Sequence, residues 1–104
     1  MVKTMTFEKM MERINDNRKP FIDHAFKNTI IRYFNKKYPK HLFKWHYDET
    51  DRIVEVLSET DWKFQFDNEI PILLSKGQLV KIPKGMIHRV IPGNKPLTVK
   101  ITES

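Results

Sequence analysis

The chain of 104 residues contains no cysteine and only three glycines. Without cysteine there are no disulfides, no thiolate metal sites and no cysteine nucleophile, so stability must come from packing alone. Three glycines are too few for a glycine-rich phosphate loop, and Gly77, Gly85 and Gly93 each sit in a turn-like stretch. Nor is there an apolar run near the eighteen or so residues of a spanning helix. The opening MVKTMTFEKMMERIND carries acidic residues and no apolar signal core, so the expected location is cytosolic. No G-x-S-x-G elbow is present.

What is present is a soluble globular composition. Hydrophobic residues make up 39% and charged residues 31%, enough apolar content for one domain with one modest core. A net charge of +6 favours anionic partners without choosing among them. The pairs Arg18-Lys19 and Lys36-Lys37 read most simply as solvated loops.

Thr6 can cap a short helix whose apolar stripe is Phe7, Met10, Met11 and Ile14, ended by Asn17 and Pro20. Beyond Phe21 helical periodicity disappears. Short β-rich runs take over: NTIIRYF, HLFKWH, RIVEVL, WKFQF, IPILL, LVKI, HRVI and LTVKI, divided by turn signals such as SETD, FDNE, SKG and PGNKP. Trp62, Phe64 and Phe66 alternate onto one face, as do Leu97, Val99 and Ile101. Many short strands in one small chain predict an antiparallel sandwich or barrel over residues 21–104, with residues 1–20 as a helical appendage and no second domain. Exposed sheet edges are commonly covered by pairing, so a homodimer is expected.

One stretch carries a motif. Gly77, Pro83, Gly85 and His88 form G-x5-P-x-G-x2-H: a turn into a strand, a proline closing it, a glycine suited to positive φ, and a histidine opening the next strand. This resembles the second motif of the cupin superfamily, small jelly-roll β-barrels whose mouth often holds a metal. Pro92 stands where that motif has asparagine. The first motif aligns on WHYDETDRIVEVLSE, with His46 at the first histidine, Asp48 at the second, Arg52 at the glutamate and Glu59 at the glycine. The likeness runs from about Lys44 to Ile91, and Asp67-Asn68 is the expected turn of the hairpin between the motifs.

Strand alternation puts His46, Asp48, Arg52 and His88 together inside the barrel mouth. Two readings of that cluster stand open. In one, Arg52 replaces a metal ligand, pairs with Asp48 and receives a small anionic or nucleotide-like metabolite, with His46, His88, Tyr47 and Trp62 as further ligand contacts and Trp45 and Tyr33 as candidate walls. In the other, His46, Asp48 and His88 hold one divalent ion (Fe, Mn, Ni or Zn) for cupin-type oxygenase or isomerase chemistry. A third reading, a basic nucleic-acid-binding protein, rests on charge and interleaved aromatics alone.

Overall fold

A computed structural model describes residues 21–34 and 43–104, so the helix expected over residues 1–20 lies outside the described part. Eight strands follow one another: β1 (Phe21–Phe26), β2 (Thr29–Phe34), β3 (Arg52–Val56), β4 (Lys63–Phe66), β5 (Ile72–Leu73), β6 (Leu79–Ile82), β7 (His88–Ile91) and β8 (Leu97–Glu103). They form a five-stranded sheet in the order β1-β2-β8-β3-β6 and a three-stranded sheet in the order β5-β4-β7, with all pairings antiparallel. The expected closed barrel is thus two facing sheets, not joined into a continuous hydrogen-bonded ring. Among the described residues no helix is long and apolar enough to cross a membrane.

Alternation builds the interior. On β8, Leu97, Val99 and Ile101 are buried, side by side with Val56 of β3 and Val80 and Ile82 of β6 on the inner face of the same sheet. The three-stranded sheet adds Phe64, with Phe66 packed against the cluster. Trp62 is fully buried beside Phe34 and Phe43 at ring separations of 5.4 and 5.2 Å. Its indole nitrogen donates to the Lys95 carbonyl at 2.6 Å, which satisfies the one polar atom of a deeply buried ring.

Three elements differ from the expected strands. FIDHAF pairs fully with β2, although the inward Asp23 hides its alternation. HLFKWH yields no strand among its described residues, only an isolated bridge at His46, because pairing along this flank stops after one residue. IPILL contributes just Ile72–Leu73, since Pro71 has no N–H to donate to a ladder.

Gly77 (φ 88°) and Gly85 (φ 79°) both adopt the left-handed conformation that their turns require. Gly93 is constrained differently: a Cβ there would overlap the Asp61 carboxylate. That carboxylate accepts from the backbone N–H groups of Lys95 at 2.8 Å and Asn94 at 2.9 Å, and these bonds hold it below the ordinary carboxylate range. The tie is therefore intact at neutral pH and is lost only as pH falls through that lowered value. Gly93→Ala is expected to lower the melting temperature by about 4–8 °C. Asp61→Asn should leave a smaller deficit whose size shrinks in acid, both measurable by thermal melts across pH.

Candidate functional site

The bridge at His46 brings the two motifs together. His46 N–H donates to His88 C=O at 3.0 Å, and His88 N–H returns the bond at 2.9 Å. Residues opposite each other in such a pair project to the same side, so the two imidazoles meet with centroids 4.4 Å apart. Gly85 N–H donates to the Asp48 carbonyl at 2.9 Å, which ties the turn before β7 to the same segment. His88 is buried and lies over Phe64, rings 5.5 Å apart and nearly parallel.

Each imidazole is fixed by a backbone carbonyl two residues before it. His46 Nδ1 lies 2.9 Å from Lys44 O, and His88 Nδ1 lies 2.8 Å from Met86 O. A carbonyl only accepts, so Nδ1 carries the proton in both rings and the neutral form leaves Nε2 with a lone pair. His88 Nε2 faces Asp48 Oδ2 at 3.3 Å. Two lone pairs then oppose each other, and Asp48 Oδ2 is a buried oxygen without a hydrogen-bond donor among the described residues. A second proton on His88, or a cation between the two atoms, would satisfy it.

Asp48 is otherwise held from its second oxygen. Arg52 Nη1 lies 3.3 Å from Asp48 Oδ1, while Arg52 Nη2 lies 2.8 Å from Glu103 Oε1. Burial raises the Asp48 carboxyl, but His88, when its Nε2 carries a proton toward Asp48, and the Arg52 guanidinium outweigh burial and hold the group below its ordinary value. Asp48 is therefore a carboxylate throughout the neutral range. Leaving the imidazoles aside, two carboxylates stand against one guanidinium, an excess of one negative charge. That balance suits a cation.

One ligand atom each from His46, Asp48 and His88 can lie within 4.8 Å of the others. Two imidazole nitrogens and a carboxylate oxygen at such separations fit one first-row divalent ion. The group lies on a cavity of about 380 Å³ between the sheets, walled mainly by apolar side chains including Phe34, Val54, Phe64 and Ile101.

The cavity gathers His46, Asp48, Arg52 and His88 as the alternation argument requires. The aromatic contacts fall elsewhere. Trp62 is sealed in the core; Tyr47 and Tyr33 are exposed by 60% and 45% of their surface. Trp45 lies under the Arg89 guanidinium at 4.4 Å. None of these four lines the cavity. Besides the inward Asp23, two charged residues of the interior were missed: Glu103, next inward position after Leu97, Val99 and Ile101, and Arg32, which alternates inward between Ile30 and Phe34. The period of two that located the core also passes through both.

No family model matches the sequence, and no curated protein matches it. Solved structures do. The chain is similar to a cupin-2 domain containing protein from Shewanella frigidimarina NCIMB 400, with 19% identity, a TM-score of 0.57 and coverage of 97% of this chain and 95% of that one. It is similar to the Fe(II) form of HppE at 10% identity and TM-score 0.60, covering 81% of this chain and 48% of that one. It also matches one chain from the crystal structures of the DMSP lyases RdDddP and RnDddQII at 17% identity and TM-score 0.62, covering 72% of this chain and 36% of that one. The chain thus spans less than half the length of the last two. The fold is the cupin fold.

Proposed function

We propose that this chain is a metal-dependent cupin-type protein, in which His46, Asp48 and His88 hold one first-row divalent ion and the cavity brings a small molecule to it. The observation that carries this reading is the confrontation of Asp48 Oδ2 and His88 Nε2 at 3.3 Å, with the Nδ1 proton already committed to Met86 O. An ion bound there supplies Lewis-acid polarisation of a coordinated oxygen and, in the iron(II) case, the oxidative chemistry associated with two histidines and a carboxylate.

The protein's own residues do the rest. Lys44 O and Met86 O aim the imidazoles, and Arg52 steadies the carboxylate from the side away from His88. Glu103 offsets the Arg52 charge at 2.8 Å, which removes much of the repulsion a lone guanidinium would exert on a dication. The apolar walls exclude water from whatever is bound. Arg52 pairs with two carboxylates, so its charge is already offset, although its Nε is a buried donor without a partner among the described residues.

Metal analysis of purified protein loaded in turn with Fe(II), Mn(II), Ni(II) and Zn(II) tests the proposal. One tightly held equivalent per chain is expected for at least one ion. Asp48→Asn should abolish it, because the amide is a weaker, neutral donor beside a guanidinium. Wild-type stoichiometry in Asp48→Asn overturns the site.

A further inference from the structure

Arg32 is a charged side chain inside the fold that the metal cluster does not use. Its Nε donates to Asp23 Oδ1 at 2.8 Å and its Nη2 to Asp23 Oδ2 at 3.0 Å, a two-point pair along one edge of the guanidinium. The guanidinium carbon sits 3.9 Å from the Phe21 ring centroid, which fixes its plane. Nη1 has no hydrogen-bond partner among the described residues. Arg32 and Phe21 both line the cavity, as does Lys44, which has no ion-pair partner among the described residues. Arg32 is thus held in place by its side edge, with donors on its other edge still to be used.

Register sets the distance from the metal cluster. Arg52 stands opposite Glu103, while Arg32 stands opposite Val99 on the same strand. Four residues of β8 separate the two rows by about 13 Å. Charge differs along that length. The Arg52 row is net negative, with Asp48 and Glu103 against one guanidinium, whereas the Arg32 row sets one guanidinium against the Asp23 carboxylate. Apolar residues such as Val54 and Ile101 fill the rows between.

We infer that Arg32 anchors the carboxylate end of the ligand, and that the cavity takes small carboxylic acids with an apolar body and an oxygen donor at the other end. Only the far end rests on the proposed metal reading; the anchor does not need the ion. Buried ion pairs rarely repay their desolvation as stability, so a recognition role accounts for placing one against an apolar cavity. Asp23 then orients Arg32 and also competes with the ligand for its charge.

Isothermal titration with two probe sets tests this. Hexanoate on metal-free protein reports the anchor alone. Its affinity is expected to fall about tenfold in Arg32→Met and to rise in Asp23→Asn, where Arg32 keeps an acceptor but loses the competing charge. The straight-chain dicarboxylates from succinate to sebacate, on metal-loaded protein, should show a length optimum that vanishes in Arg32→Met while metal affinity stays as in wild type. Arg32→Met binding hexanoate like wild type overturns the inference. So does equal weakening in Arg32→Met and Asp23→Asn, which marks a structural pair. Arg32-dependent hexanoate binding in a protein that takes up no metal sustains the anchor and sinks the metal reading alone.

Discussion

His88→Ala lowers the affinity for the divalent ion by at least about 100-fold. In the proposed site the imidazole is both a ligand and a wall: it presents Nε2 to Asp48, and its ring lies buried over Phe64 with Nδ1 tied to Met86 O. Loss of a mere orienting partner of a metal ligand commonly costs 10–100-fold, so loss of the ligand itself should cost no less. Removing a buried ring also costs about 2–4 kcal/mol through the cavity left behind. His46→Ala separates the two effects. His46 is exposed, so its loss should weaken the ion comparably while moving the melting temperature little. Competition against a fluorescent chelator measures the affinities, and melts of the metal-free proteins measure the stability term. If both variants keep wild-type affinity, the three residues do not form a metal site.

The second large effect concerns the fold. Trp62→Ala removes a ring with 0% exposure that touches Phe34 and Phe43 and closes the interior near Leu97. Truncations of this kind cost about 3–5 kcal/mol, a large share of the roughly 5–15 kcal/mol that keeps a domain folded. The variant should be mostly unfolded at moderate urea. Trp62→Phe retains most of the ring but strands the Lys95 carbonyl, for about 1–2 kcal/mol. Urea midpoints of the three proteins give the order directly. A cost below about 1 kcal/mol for Trp62→Ala would mean that the core is organised elsewhere.

Much of this is legible in the sequence. Strict alternation exposed the inward faces of WKFQF and LTVKI, because a strand with one buried face must repeat every two residues. Gly77 marked the turn into β6, and Gly85 with the histidine after it marked the β6–β7 connection. His46, Asp48, Arg52 and His88 follow from the same arithmetic. What escaped the sequence is what depends on long-range pairing. The sequence pairs Arg52 with Asp48 alone, because Glu103, its closest partner, lies 51 residues away. FIDHAF was passed over because Asp23 breaks the apolar pattern, and its inward place makes sense only beside Arg32 on the neighbouring strand. Aromatics misled in the opposite direction. Tyr47 and Trp45 flank His46 in sequence, yet neighbours on an extended chain face the other way.

The reciprocal bonds between His46 and His88 clip an otherwise unzipped margin of the small sheet, and a metal ion would add a second rivet through the same two side chains. Deuterium uptake at these two amides should therefore slow on loading, while distant β2 and β8 amides keep their pace. That contrast would turn a pair of backbone reporters into a gauge of occupancy needing no knowledge of the substrate.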